Sequence, residues 1–185
     1  LKHYPAGVPA EIDVNSYGSI RDLFEESCAK YASRPAFTCM DKSISFSELD
    51  TLSAAFGAWL QANGCKKGSR VALMMPNILQ YPIAIFGVLR AGLTVVNTNP
   101  MYTGRELKHQ LKDSGAAVLV VLDNFGAVAA EALKGTDVRQ VITTRVGDRL
   151  PWPKPLLVDT VLKHVKKRLP PCNIPHALRW TKALY

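Results

Sequence analysis

The sequence predicts an α/β fold of three layers, in which a mostly parallel sheet is flanked by helices. Two observations predict it. Short apolar strands alternate with helices from Arg70 onward, and these strands are apolar at consecutive positions. The segment Val118–Leu122, which reads Val-Leu-Val-Val-Leu, is apolar on both faces. Such a strand needs helices over both sides of its sheet.

The first predicted elements are two amphipathic helices with a small β-hairpin between them. Ser19 can cap the first helix. The apolar residues of this helix recur at helical spacing: Ile20, Leu23, Phe24, Cys28 and Tyr31. The hairpin is predicted at residues 36–40 and 43–46. Ser47 begins the second helix and Gly64 ends it. The second helix has a predicted core stripe of Leu49, Leu52, Phe56, Trp59 and Leu60.

The alternating part of the chain follows. Its predicted strands are residues 71–75, 94–97, 118–122 and 140–144, and its predicted helices are residues 78–91, 104–113 and 125–133. Thr103 and Glu106 have the spacing of a capping box. Pro82 lies either in the first turn of its helix or at a kink. Both alternatives place Asn77 in a loop between strand and helix.

Charge and cysteine usage exclude several classes of protein. Residues 1–150 carry 16 basic and 14 acidic side chains, so they lack the cationic surface that nucleic-acid binding needs. The four cysteines and four histidines have no metal-site spacing. Cys28 is predicted to be a buried, reduced thiol. The longest apolar stretch, residues 78–89, is far shorter than the roughly 20 residues of a membrane span.

Residues 151–185 differ from the rest, with 7 basic side chains against 1 acidic one. We therefore divide the chain into an α/β part, residues 1–150, and a Pro-rich linker with a basic amphipathic helix, residues 151–185. The helix is predicted at residues 156–169. It can lie at an anionic membrane surface, pack on a partner domain, or expose a solvated cationic face. The membrane-surface candidates are Lys163, Lys166, Lys167 and Arg168. No closing element is evident after residue 170.

The sequence contains no recognisable set of catalytic residues. Neither a G-x-G-x-x-G motif nor a P-loop occurs, and no nucleophile elbow is visible. Two carboxylate pairs, Glu25 with Glu26 and Glu48 with Asp50, are predicted to be solvated. His109 and Asp113 could pair on one helix face, most simply as a surface contact. From the residues alone, a free-standing nucleotide- or small-molecule-binding module and a membrane-docking fragment both stay open.

A dense set of motifs resembles one enzyme family. Residues 66–116 contain GSRVAL, MPNILQYP, LRAG, VVNTNPMYT and REL-x-HQL-x-DSGA. YPAGVPAEID near the start and HVKKRLPPCNIP after the linker belong to the same pattern. These stretches resemble the bacterial long-chain fatty acid CoA ligases of the adenylate-forming superfamily. The resemblance covers nearly the whole chain.

The resemblance implies a cytoplasmic enzyme, held peripherally at the inner membrane, that joins a long-chain fatty acid to coenzyme A with ATP and Mg²⁺. The family's phosphate loop, its adenine- and ribose-binding residues and its catalytic lysine have no matching positions here. We therefore expect a truncated, inactive N-terminal portion that binds no cofactor and has no catalytic or metal-ligating residue. Self-association through surface exposed by the truncation is also expected.

The residues expected to approach a ligand in the intact enzyme follow two strands of the sheet. They are Met75, Pro76, Asn77, Asn97, Thr98, Asn99, Pro100 and Tyr102. A structural role is the alternative, with Asn77 as a helix cap and Asn99-Pro100 as a turn.

Overall fold

The computed structural model describes residues 3–160 and 174–184. The strands are β1 (Pro35–Cys39), β2 (Lys42–Ser45), β3 (Arg70–Met74), β4 (Thr94–Asn97), β5 (Val118–Leu122), β6 (Gln140–Thr144) and β7 (Leu178–Arg179). The α-helices are α1 (Ile20–Lys30), α2 (Phe46–Ala62), α3 (Gln80–Arg90), α4 (Gly104–Ser114), α5 (Gly126–Ala132) and α6 (Lys154–Thr160). No helix in the described ranges is long and apolar enough to cross a membrane.

The main sheet is parallel throughout and has the strand order β4-β3-β5-β6-β7, while β1 and β2 form a separate antiparallel hairpin. Alternate residues of β3 belong to two different hydrophobic cores, one on each face of the sheet. Val71 and Leu73 face the α2 and α3 side, whereas Ala72 and Met74 face the α4 side. Helices therefore cover both faces of the sheet, and the predicted three-layer fold is confirmed.

Two capping boxes fix helix starts. Ser45 Oγ accepts a hydrogen bond from Glu48 N at 3.1 Å, and Ser45 N donates to Glu48 Oε2 at 2.9 Å. Helix α2 consequently begins at Phe46, one residue before its predicted start. Thr103 and Glu106 form the predicted box at α4. Glu48 is exposed to solvent, as predicted, and its carboxylate also closes the cap.

Helix α1 has a narrower buried face than its sequence predicts. Phe24 and Cys28 are buried, but Ile20 and Leu23 are exposed. The ring of Phe24 stacks on that of Phe86 in α3, with centroids 3.9 Å apart. Ile20 and Leu23 share the helical spacing of the apolar residues but stay outside the core, because α1 meets the rest of the protein only along a narrow stripe.

Arg90 of α3 joins three helices. Its Nη1 lies 2.8 Å from Asp50 Oδ1 of α2 and 3.0 Å from Ser53 Oγ, and its Nε lies 3.3 Å from Glu25 Oε1 of α1. The guanidinium also lies over the Phe24 ring. Glu25 and Asp50 were predicted to be solvated carboxylates. Both carboxylates do reach solvent, with 44% of each side chain exposed, and they also neutralise this partly buried cation.

The end of the chain contributes a fifth strand to the sheet, although no element was predicted there. Ile142 of β6 pairs with Leu178 of β7, and the fully buried Trp180 packs on Phe56 with ring centroids 4.8 Å apart. A strand of two residues is too short to show a hydrophobic period. The four basic membrane-surface candidates, and most of the predicted helix 156–169, lie outside the described residues.

Candidate functional site

The loops after β3 and β4 enclose a pocket at one edge of the sheet. Because Leu73 of β3 pairs in parallel with Asn97 of β4, both strands end at the same edge. The polar pocket, as we call it, has a volume of about 380 Å³ and is lined by Met75, Pro76, Asn77, Tyr81, Asn97, Thr98, Asn99 and Pro100. The structure thus brings together all the predicted ligand-proximal residues except Tyr102.

Tyr102 lies apart from the others because the chain turns at Asn99. Asn99 Oδ1 accepts a hydrogen bond from Met101 N at 2.9 Å, and Asn99 O accepts one from Tyr102 N at 3.1 Å. The turn predicted for Asn99-Pro100 is therefore present. Tyr102 borders a second pocket on α4, beside His109 and Asp113.

The loop after β3 leads into α3 without a side-chain cap. The N-cap position is Leu79, and its side chain makes no capping hydrogen bond. The cap role considered for Asn77 is wrong, because the helix starts two residues later than predicted. Pro82 lies in the first helical turn, where its missing N–H breaks no intrahelical bond.

Tyr81 is the pocket residue that the sequence analysis missed. Its hydroxyl donates to Asn97 Oδ1 at 2.7 Å and so ties α3 to the end of β4. Burial raises the pKa of Tyr81, so the hydroxyl keeps its proton at neutral pH. Gln110 of α4 donates to Asn97 O at 3.1 Å.

An apolar groove runs beside the polar pocket, between β1 and α3. It has a volume of about 440 Å³ and is lined by Phe37, Thr38, Cys39, Asn77, Ile78, Leu79, Tyr81, Pro82, Ile85 and Phe86. Asn77 and Tyr81 line both cavities. The Cys39 thiol lies 3.8 Å from Asn77 O, which brings the hairpin against the loop after β3.

An ion-pair cluster occupies the other half of the same sheet edge. Asp123, at the end of β5, accepts from Arg145 Nε at 2.9 Å and from Arg179 Nη1 at 2.8 Å. Arg179 Nη2 also lies 3.2 Å from Asp148 Oδ1. Two carboxylates balance two guanidinium groups, so the cluster links β5, β6 and β7. In the sequence, the position of Asp123 directly after a fully apolar strand could have indicated this cluster.

Metal and thiol chemistry find no support in the described ranges 3–160 and 174–184. They contain no group of three or more His, Cys, Asp or Glu that could hold a metal ion. Burial, the largest cause, raises the pKa of the Cys28 thiol to about 11, and burial also raises that of Cys65. The buried, reduced thiol predicted at Cys28 is confirmed.

Comparison with known proteins identifies relatives along the whole chain. Residues 24–178 match the family of AMP-binding enzymes. A long-chain-fatty-acid–CoA ligase from Escherichia coli O157:H7 is 50% identical over 186 aligned residues, which cover 100% of this chain and 33% of that ligase. The chain thus spans about a third of the length of this curated relative.

Solved structures share the fold. A long-chain-fatty-acid-CoA ligase from Archaeoglobus fulgidus superimposes with a TM-score of 0.61 at 27% identity, over 66% of this chain and 26% of that one. A coronafacic acid ligase from Pectobacterium brasiliense superimposes with a TM-score of 0.69 at 15% identity, over 89% of this chain and 29% of that one.

Proposed function

The chain belongs to the AMP-binding enzyme family, and from this premise we propose that it forms the N-terminal part of a long-chain fatty acid CoA ligase. The whole enzyme would convert a fatty acid and ATP to an acyl-adenylate and pyrophosphate, and coenzyme A would then displace AMP. The observation that carries the proposal is the 50% identity to such a ligase across all of this chain.

Within that enzyme, we propose that the polar pocket lies close to a ligand. It combines the ends of two parallel strands with amide and hydroxyl groups from Asn77, Tyr81, Asn97, Thr98 and Asn99. Tyr102 would contact a ligand only from outside this pocket. None of these residues is proposed to be catalytic.

The cofactors of the whole enzyme would be ATP, Mg²⁺ and coenzyme A. The residues of this chain do not fit them. The sequence has no glycine-rich phosphate loop, and the described residues form no metal-binding group. We assign no residue to these groups and derive no reaction step through them, and we propose that the 185-residue chain is inactive by itself.

We propose that residues 151–185 include a linker and a membrane-facing segment of a cytoplasmic enzyme, which precede β7 and the buried Trp180 of the main fold. Support comes from charge, since this segment carries 7 basic and 1 acidic side chains. Lys163, Lys166, Lys167 and Arg168 would each contribute about 1 kcal/mol at an anionic surface. The apolar side chains of Ile12 and Ile20, which are exposed, support the separate proposal of self-association.

The decisive experiment measures acyl-CoA formation from oleate, ATP, Mg²⁺ and coenzyme A. The 185-residue chain and the full-length product of its gene are assayed in parallel. We expect activity only in the full-length product. Activity in neither would refute the long-chain substrate, and activity in the 185-residue chain would refute its proposed inactivity.

A further inference from the structure

Gln80 is the first residue of α3, and it is buried, with only 1% exposed. Its Nε2 donates to Thr144 Oγ1 at 3.0 Å and to Arg145 O at 2.7 Å, at the end of β6. A backbone carbonyl can only accept a hydrogen bond, so the contact with Arg145 O fixes which way the amide faces. The side chain therefore ties the first turn of α3 to a strand two places away from β3 in the sheet.

Stability alone does not account for this glutamine. Its Oε1 is also buried and accepts no hydrogen bond from any described residue. An unpaired buried acceptor costs about as much as two ordinary hydrogen bonds contribute, so an apolar side chain of the same length would stabilise the fold about equally. What the amide adds is direction, because each hydrogen bond constrains the orientation of its two partners.

Tyr81, the next residue, ties the same helical turn in the opposite direction. Its hydroxyl donates to Asn97 Oδ1 at the end of β4, and β4 lies on the other side of β3 from β6. No side-chain cap fixes the start of α3. The side chains of Gln80 and Tyr81 therefore hold the start of this helix, and with it the preceding loop that lines the polar pocket.

Thr144 connects Gln80 to the ion-pair cluster. The Thr144 hydroxyl donates to Asp148 Oδ2 at 3.0 Å, which leaves its lone pairs to accept from Gln80. Asp148 Oδ1 in turn lies 3.2 Å from Arg179 Nη2 of β7. The contacts thus run from β7 to the first turn of α3, so Gln80 is held by a hydroxyl that is itself held in place.

We propose that Gln80 is a positioning residue of the polar pocket, which sets Asn77 and the Tyr81 hydroxyl for a ligand that Gln80 itself does not touch. Gln80 lines neither the polar pocket nor the apolar groove, so its effect passes through α3. Thr144 is the partner that gives this effect its direction. That the polar pocket receives a ligand rests on the proposed function.

The first test is hydrogen–deuterium exchange in the 185-residue chain. Gln80→Met keeps the length of the side chain and removes both donated hydrogen bonds. Backbone amides of residues 75–81 should exchange at least about fivefold faster in this variant, whereas those of α4 should be unchanged. No acceleration at residues 75–81 would overturn the proposal.

Gln140→Met is the matched control for this experiment. Gln140 Nε2 also donates to a backbone carbonyl, that of Asn63, at 3.0 Å, and its Oε1 is also buried without a partner among the described residues. Gln140 begins β6, however, so it lies at the end of the strand opposite to Thr144. Equal acceleration at residues 75–81 in Gln140→Met would overturn the proposal.

The second test is kinetic and uses the full-length product of the gene. In Gln80→Met, the Michaelis constant should rise about fivefold or more for whichever of oleate, ATP and coenzyme A binds beside the polar pocket, and less than about twofold for at least one other. A purely structural loss would instead lower kcat with the folded fraction and leave all three Michaelis constants unchanged. That pattern, or an equal rise in all three, would overturn the proposal.

Thr144 provides a second pair of variants if Gln80→Met does not fold. Thr144→Val removes the hydroxyl at nearly the same shape and should reproduce both effects, whereas Thr144→Ser keeps the hydroxyl and should behave as the parent. Equal behaviour of the two variants would overturn the proposal. A full-length product without ligase activity would instead refute the proposed function and leave the exchange experiment as the test of Gln80.

Discussion

Gly57 of α2 lies directly against Gly87 of α3. A Cβ atom added to Gly57 would come within 2.8 Å of the Gly87 carbonyl oxygen. A Cβ atom added to Gly87 would come within 2.9 Å of Ser53 O and 2.8 Å of Phe56 Cδ1. The two helices therefore touch through their backbones, at a distance that no larger side chain allows.

Gly87→Ala is expected to destabilise the fold by about 1–3 kcal/mol, because the new methyl group meets backbone that cannot move alone. Urea unfolding measures the loss. Gly104→Ala is the helical control, since the atoms nearest to its Cβ atom would be those of the Glu131 carboxylate, which can rotate away. A similar loss in both variants would contradict this account.

Arg90→Ala should lower the free energy of unfolding by about 2–3 kcal/mol, because it leaves Asp50 and the buried Ser53 hydroxyl without their charged donor. Arg21→Ala, which removes an exposed pair with Glu25, should cost less than about 0.5 kcal/mol. Chemical denaturation compares the two variants. Equal losses would show that Arg90 is not the junction of the three helices.

Asp123→Ala is expected to cost about 2–4 kcal/mol, because two guanidinium groups lose their shared carboxylate. Thermal unfolding at neutral pH measures the effect. Asp41→Asn removes the charge of an exposed carboxylate paired with Lys154, keeps a residue that tolerates the positive φ of this turn, and should leave the melting temperature nearly unchanged. If Asp123→Ala also left the melting temperature nearly unchanged, the cluster would not hold β5, β6 and β7 together.

Alkaline pH should destabilise the protein through Cys28. Burial raises the pKa of this thiol from 9.0 to about 11. The unfolded chain therefore loses the proton first, and stability falls as pH rises from 9 towards 11. The contribution approaches about 1.4 kcal/mol per pH unit. Cys28→Ala should reduce the pH dependence measured by urea unfolding, and the same slope in this variant and the parent would contradict this account.

Local patterns in the sequence predicted much of the fold. β4, β5 and β6 occur at their predicted residues, because runs of apolar residues between turns depend only on neighbouring positions. The contacts of Arg90 with Glu25 and Asp50 could not be predicted in this way, since they join residues far apart in the chain. Those contacts arise only when three helices meet.

Local sequence patterns also predicted part of the candidate site. Strand ends located the loops around Asn77 and Asn97, and the parallel register brought them together. Tyr81 was missed because its hydroxyl enters the pocket from a helix predicted to be wholly core. Phe37 was missed as well, since only tertiary structure places β1 beside α3.

The pairing of β7 with β6 has a kinetic consequence. The long connection between Thr144 and Leu178 must close before this strand can add to the sheet, and closing long loops slows folding. Trp180 follows β7 directly and becomes fully buried against Phe56 when the strand docks. In a Trp59→Phe, Trp152→Phe background, its fluorescence in stopped-flow refolding would time the docking of β7 on the sheet.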